Sequence, residues 1–216
     1  TYSSSIGGEI LNNFTYPIES VRIAASVYDK NNVLIATSDS STIDNQIKPG
    51  EKSGFSISLS DKVPKSSRYV LTSTFEESEE TKPEFLKLNI GKSSKGSLGL
   101  DYKVVGEVTN SGQDDATSVT VSGIFYDKNH NVLDTDYTYT KPDTIGPGQK
   151  APFELSMFSS DAKKVKSIGL NVQSDEYSMI SSKRLNSINK EWNFKLSNYQ
   201  GITNENRKLK EKINQW

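Results

Sequence analysis

Two stretches of this chain recur almost word for word. Gly8-Glu9-Ile10-Leu11-Asn12 returns as Gly106-Glu107-Val108-Thr109-Asn110, and Tyr28-Asp29-Lys30-Asn31-Asn32-Val33-Leu34 as Tyr126-Asp127-Lys128-Asn129-His130-Asn131-Val132-Leu133. Tyr28 and Tyr126, Pro49 and Pro147, and Phe55 and Phe153 are each separated by 98 positions. Solenoid and propeller repeats run about 20 to 50 residues, so a period of this length marks whole domains in tandem. Within 216 residues there is room for two, each small enough to bury only a little over about 60% of its unfolded surface. A domain of that size suits a thin two-layer sandwich and leaves little room for a deep cleft.

Inside each unit the period is two. Val21, Ile23, Ala25 and Val27 alternate with Arg22, Ala24, Ser26 and Tyr28, and Val119, Val121, Gly123 and Phe125 with Thr120, Ser122, Ile124 and Tyr126; both patterns read as half-buried strands. Each run meets a polar turn, Asp29-Lys30-Asn31-Asn32 or Asp127-Lys128-Asn129-His130-Asn131, the second one residue longer, before an apolar restart. Asn and Asp tolerate positive φ and bond their own backbone, so these are hairpin loops. Pro49-Gly50 and Pro147-Gly148 mark further turns. After them Phe55, Ile57 and Leu59 alternate with serines, as Phe153, Leu155 and Met157 do with Glu154, Ser156 and Phe158. Tyr69 to Thr72 and Ile168 to Val172 read as closing strands. Short strands at regular spacing, with no helical period inside either unit, predict an all-β protein of two tandem immunoglobulin-like antiparallel β-sandwiches followed by a short C-terminal helix.

The order Gly-x-[Val/Ile]-x-Asn, an apolar strand ending in Tyr28-Asp29 or Tyr126-Asp127, a short polar turn, Val-Leu, a Pro-Gly-[Glu/Gln] turn and Phe in the next strand resembles the FxLYD domain. The likeness covers roughly residues 6–75 and 104–174. At the motif's first position the chain has Ala25 and Gly123 in place of Phe, and Val27 and Phe125 stand in place of Leu. The resemblance implies an immunoglobulin-like sandwich of prokaryotic, notably archaeal and bacterial, surface or exported proteins, and it implies no catalytic residues.

The expected organisation is a first sandwich over 1–76, an acidic linker over 77–84, a second sandwich over 85–176 and an extension over 177–216. The linker, Glu76 to Glu84, reads as a solvated connector extended by like charges. Leu86, Leu88 and Ile90 suggest a leading strand for the second domain, before a flexible Gly91–Gly96 loop. Trp192, Phe194 and Leu196 repeat that alternation after the second unit. From Glu205 the period turns helical: Leu209, Ile213 and Trp216 fall on one face, with Thr203 or Asn204 able to cap. A helix of about 12 residues is marginal alone, so this face docks on the second domain, on a partner protein or on an anionic surface.

With 26 basic and 27 acidic residues and a net charge of −1, no global field attracts nucleic acid or an anionic membrane. A hydrophobic fraction of 33% and a mean hydropathy of −0.62, with frequent Tyr and β-branched residues, describe a solvated β protein rather than a disordered one. The absence of Cys removes disulfides, thiolate metal sites and Cys nucleophiles. Thr1 in place of Met suggests a removed leader or a trimmed start.

Candidate chemistry is sparse. Asp127-Lys128-Asn129-His130-Asn131 has oxygen ligands at alternate positions, but Val132 stands where a calcium loop needs Gly and no Glu follows at the twelfth position. Asp114-Asp115 and Asp134-Thr135-Asp136 offer carboxylates for a weak surface calcium site. His130 is the single histidine, so a Ser-His-Asp triad would need it, at the tip of a hairpin. Gly91–Gly96 lacks the Lys-[Ser/Thr] of a phosphate loop. The residues therefore point to no cofactor, no metal site and no enzyme. Asn13-Phe14-Thr15 is a sequon, which makes Asn13 a candidate glycosylation site. Tyr137 and Tyr139 share one face of a strand and form a candidate platform for sugars or proteins. Leu209, Ile213 and Trp216 are the candidate partner-docking face.

Two functions fit these features. One is a non-catalytic extracellular or cell-envelope structural, adhesion or assembly module, whose partners are other envelope proteins or itself by strand addition. The alternative is a glycan- or calcium-binding module, or an accessory subunit of a membrane-associated complex docked by its C-terminal helix.

Overall fold

The alternation in the sequence is an alternation of burial. A computed structural model describes residues 4–181 apart from 60–62, 65–66 and 97. In β2 (Ile18–Tyr28), Val21, Ile23, Ala25 and Val27 are buried while Arg22 and Ala24 are exposed. β2 is the centre of a sheet, pairing with β3 (Leu34–Ser41), β4 (Gln46–Ile47) and β6 (Arg68–Glu77). β1 (Ser4–Leu11) and β5 (Lys52–Leu59) form a separate antiparallel ribbon. The two layers share one core, in which Val21, Ile23, Ala25 and Ile47 meet Phe55 and Ile57, with Ile6, Ile10 and Tyr16 packed beside them.

The second half repeats this plan and adds to it. β8 (Asp101–Asn110) pairs with β11 (Lys150–Phe158), and β9 (Thr120–Tyr126) lies between β10 (Val132–Tyr139) and β12 (Ser167–Gln173). Two further strands, β7 (Glu84–Lys95) and β13 (Ser178–Met179), join the layers into one seven-stranded sheet in the order β10-β9-β12-β13-β7-β8-β11. All pairings are antiparallel except β13 on β7. The end strands β10 and β11 come into contact, so the sheet is nearly closed. Its core, with Leu86, Phe125, Phe153, Leu155 and Tyr177, is larger than that of the first half. β7 runs through Lys95, so most of the expected Gly91–Gly96 loop is strand: Ser93 and Ser94 pair with Val104 and Lys103.

The repeated residues are those that force the fold. Asn12 is almost wholly buried, and its Nδ2 donates to the carbonyls of Tyr16 (2.9 Å) and Ile47 (2.8 Å) while its Oδ1 accepts from Phe14 N (2.9 Å). Asn110 does the same with Asp114 O (2.8 Å), Ile145 O (2.8 Å) and Gly112 N (2.8 Å). A buried side-chain amide with three bonds serves backbone groups that no ladder reaches. Pro49-Gly50 and Pro147-Gly148 are type II turns. Gly50 and Gly148 have φ of 78° and 71°, and Glu51 N and Gln149 N close on Lys48 O and Gly146 O at 3.0 Å. The turn glycines then donate to the carbonyls of Asn12 and Asn110.

The Asp side chains fold the hairpins. Asp29 Oδ1 accepts from Asn31 N (2.8 Å) and Val33 N (2.9 Å), and Asp127 Oδ1 from Asn129 N (2.7 Å) and Asn131 N (2.9 Å). The loops have the same length, contrary to the sequence reading: Asp29 N bonds Val33 O as Asp127 N bonds Asn131 O, and Asn32 and His130 both take positive φ. The second copy therefore carries no extra residue: Tyr28 to Pro49 and Tyr126 to Pro147 keep the same 98-position offset, which aligns Val33 with Asn131.

A cross-strand glycine and phenylalanine seat each ribbon on its core. Gly8 lies opposite Phe55 and Gly106 opposite Phe153. A Cβ on Gly8 would sit 2.5 Å from the Phe55 ring; one on Gly106 would sit 2.7 Å from the Phe153 ring and 2.4 Å from Asn89 O. The missing side chain is the space the ring occupies. The segment expected as a solvated connector is exposed at Glu79, Glu80, Thr81 and Pro83 but buried at Ser78. By contacts the chain divides into Thr1–Met179 and Ile180–Trp216. The expected strand at 192–196 and the helix bearing Leu209, Ile213 and Trp216 lie outside the described residues. Gly106→Val should lower stability by about 1–3 kcal/mol through overpacking, read as a lower urea midpoint; an unchanged midpoint would show that the ring has room to move.

Candidate functional site

The first half rests on the second through the outer faces of β5 and β1, which meet β9 and β10. Gly54 permits this approach, since a Cβ there would lie 2.7 Å from Thr135 Cγ2. As a result Ser122 and Ile124, on the face of β9 that alternation predicts to be outer, are buried.

Polar side chains hold the junction. Asp44, between β3 and β4, is 7% exposed, and Ser122 Oγ donates to its Oδ1 at 2.8 Å. Burial pushes its carboxyl above the usual aspartate range, with a smaller upward contribution from the charge of Glu51; hydrogen bonds from Ser53, Ser122 and Asn171 oppose the rise. Gln46 Nε2 donates to Ser78 Oγ (2.8 Å) and Glu80 O (2.7 Å), and its Oε1 accepts from Lys82 N (3.1 Å). Its backbone is clasped by Gln173, whose Nε2 donates to Gln46 O at 2.5 Å and whose Oε1 accepts from Gln46 N at 3.4 Å. Lys48, 7% exposed, reaches Glu84 Oε1 (2.8 Å), Ser178 Oγ (3.3 Å) and Met179 O (3.4 Å), with Glu51 Oε1 at 3.4 Å.

A second contact is charged. Tyr126 Oη donates to Glu9 Oε2, and Lys52 Nζ bonds Glu9 Oε1 at 2.5 Å while lying 5.9 Å from the Tyr126 ring centroid. Burial tends to raise the Glu9 carboxyl, but the bonds from Lys52 and Tyr126 and the Lys52 charge together hold it below the usual glutamate range. Burial and the adjoining Glu9 push the Tyr126 phenol well up.

Beside this junction runs a groove of about 500 Å³ between the halves, lined by Ser40, Thr42 and Asn45 from the first and Asp136, Tyr137 and Tyr139 from the second. Tyr137 and Tyr139 are each 50% exposed, with ring centroids 6.1 Å apart at 81°. Burial raises the Asp136 carboxyl, against the pull of the Tyr137 backbone N–H on its Oδ1. The two tyrosines picked out by their alternation thus stand together at the rim of a polar cleft, a combination that stacks on a ring while offering hydroxyl and amide partners.

The other sequence candidates lie apart from this groove. Asn13 is exposed between β1 and β2, next to the buried Asn12. His130 is exposed in the β9–β10 hairpin, its ring 6.3 Å from that of Tyr126. The Asp127 carboxylate is committed to turn N–H groups and to Asn131 Nδ2 (3.0 Å), and these bonds hold its pKa down. Among the described residues no three His, Cys, Asp or Glu side chains form a set that could hold a metal ion.

Sequence reasoning missed Asp44, Gln46, Lys48 and Gln173. A signal for three of them was present in the repeat. At the same spacing, positions 142, 144 and 146 hold Pro142, Thr144 and Gly146, whereas the core residue between them is kept as Ile47 and Ile145. Polar residues carried by one copy alone mark what the copies do to each other.

No family model matches the chain, and no curated protein sequence matches it. Among solved structures, IrmA from Escherichia coli is similar over 46% of this chain and 87% of its own, at 11% identity and a TM-score of 0.33. Red sea bream transglutaminase aligns over 81% of this chain at 11% identity and a TM-score of 0.29, and the exo-chitosanase CsxA of Amycolatopsis orientalis over 78% at 10% and 0.31. This chain spans 27% and 24% of the length of those two enzymes. Likenesses at these scores bear on neither fold nor activity.

Asp44 ties the junction to pH. Its raised pKa means that folding penalises the ionised form; the penalty is present in full above the folded pKa and falls away as pH drops from there to the ordinary aspartate value. Asp44→Asn should therefore leave stability at pH 7 unchanged or higher and flatten its dependence between those two values, whereas Asp44→Leu, which strands the Ser and Asn donors, should cost about 1–3 kcal/mol. Urea titrations at pH 4 and pH 7 check both; a marked loss for Asp44→Asn at pH 7 would refute this account of the carboxylate.

Proposed function

We propose that the chain is a non-catalytic extracellular or cell-envelope module, used in adhesion or assembly, built from two immunoglobulin-like sandwiches. The observation that carries this is the junction. Asp44, Gln46, Lys48 and Gln173 are the buried polar groups that a search for chemistry would single out, and each is engaged in holding one repeat against the other. A spacer or adhesion unit needs a fixed angle between repeats, because a flexible joint would dissipate the reach that a second domain adds. In the first half a ribbon and a sheet face each other across a shared core, which fits the sandwich reading, and the FxLYD-type residues add the envelope setting by resemblance. Fractionation of the source cells should recover the protein with the envelope or in the medium; retention in the cytosol would overturn the envelope assignment.

The groove favours a second reading, glycan binding. Edge-on tyrosines half open to solvent, beside Ser, Thr, Asn and Asp side chains, make a surface on which a sugar ring stacks and is hydrogen-bonded along its rim. Titration calorimetry with cell-wall oligosaccharides should show binding that weakens about tenfold or more when Tyr137 and Tyr139 are both changed to Ala, a loss of roughly 1.4 kcal/mol or more. Wild-type silence with those sugars would sink this reading and leave the first one standing.

A further inference from the structure

Among the described residues the second half has two strands, β7 and β13, without a counterpart in the first, and one of them flanks β8. In the second half β7 pairs with the outer edge of β8, Leu88 opposite Val108 and Ile90 opposite Gly106, and Leu86 is wholly buried with Leu88 packed on the same core. β1 is the repeat counterpart of β8, as the matching pairs Gly8–Phe55 and Gly106–Phe153 establish. Among the described residues β1 pairs with β5 alone, and no strand stands beside it as β7 stands beside β8.

In the same half as β1, β6 differs from its counterpart. Tyr69 lies opposite Val27 and Leu71 opposite Ala25, so both tyrosine and leucine share the side of the sheet whose β2 residues are buried. Yet Tyr69 is 47% and Leu71 45% exposed. Their counterparts Ile168 and Leu170, opposite Phe125 and Gly123, are partly buried and packed on the second core. The first half thus combines an unpaired strand edge with an uncovered apolar face, the arrangement that accepts an added strand: main-chain bonds supply affinity and alternate side chains supply selectivity.

We infer that this place is filled by residues 191–197 of a second copy of the chain. Those residues lie outside the described ones, but their sequence is that of a β7-type strand. Trp192, Phe194 and Leu196 alternate with Asn193, Lys195 and Ser197, and Phe194-Lys195-Leu196 matches Leu86-Lys87-Leu88 in class at each position. The segment is about as long as the eight-residue β1. In chain order β7 comes directly before the repeat it completes, whereas 191–197 come after both repeats. Head-to-tail association, in which this segment enters the first half of the next copy, keeps the order of strand before repeat. The inference deepens the assembly reading and rests on it.

Sedimentation of the full chain over a range of concentrations tests it. Self-association is expected, displaced to about a hundredfold higher concentration by Phe194→Asp in the donor segment and by Leu71→Glu on the acceptor face. Because Leu71 is exposed in the single copy, Leu71→Glu should keep the wild-type circular dichroism and urea midpoint. Mixing the two variants should restore a one-to-one complex, since one retains the acceptor and the other the donor, and a synthetic peptide of residues 190–198 should compete with it. A chain that stays monomeric throughout overturns the inference, whether its own tail fills the edge or nothing does. Association indifferent to Phe194→Asp, or not restored by mixing, overturns it equally. In each case cell location and sugar binding are judged by their own measurements.

Discussion

Ser122 donates a hydrogen bond to the Asp44 carboxylate in a place almost closed to water, and the seating of one repeat on the other follows from contacts of this kind. A buried carboxylate is costly unless donors replace its hydration, so Ser53, Ser122 and Asn171 must all converge on it. Two of those three belong to the second half. The requirement turns a soft packing of two sheets into a joint with one register. Gln46 and Lys48 act in the same way on the connecting segment and on β12 and β13, which leaves the stretch between the repeats little freedom at Ser78 and Lys82 despite its charged composition.

The joint also creates the surface with the most functional promise. Tyr137 and Tyr139 would be two ordinary outer-face residues on an isolated domain. With the first half in place, Ser40, Thr42 and Asn45 face them across a cleft, and a flat aromatic patch becomes a concave, polar-rimmed one. Among the described residues β1 has no strand on its far edge, and Tyr69 and Leu71 are exposed, so two surfaces of different character stand open. One is suited to rings and hydroxyls, the other to an extended backbone.

Much of the fold was legible residue by residue. Val21, Ile23, Ala25 and Val27 are buried as their spacing requires, and so are Phe55, Ile57 and Leu59 and, in the second copy, Phe153, Leu155 and Met157. The Asp and Pro-Gly turns could be read because their chemistry is local: a carboxylate accepting from N–H groups two and four residues on, a glycine at positive φ. Where the reading failed, distance was the reason. The Gly91–Gly96 stretch looks like a loop by composition but continues as strand because β8 offers it partners. The hairpins are the exception, since their difference in spelling hides an offset of 98 positions that already places Val33 and Asn131 at the same point of the turn. Tyr137 and Tyr139 were found from alternation, whereas Asp44 and Gln173 were not, since nothing in the neighbouring residues says that positions 44 and 122, or 46 and 173, will meet.

What the sequence determined by itself is the repeat unit: strands from a period of two, hairpins from Asp and Asn, and turns from Pro-Gly, each depending on groups close along the chain or on a pattern of apolar faces. What only the tertiary structure decided is which faces of those units are covered. The outer side of β9 is buried because Gly54 lets β5 approach it, and the inner side of β6 stays exposed at Tyr69 and Leu71 where the matching side of β12 is packed on its core. Local propensity sets which atoms must be satisfied; the packing of distant segments sets which of them water can still reach.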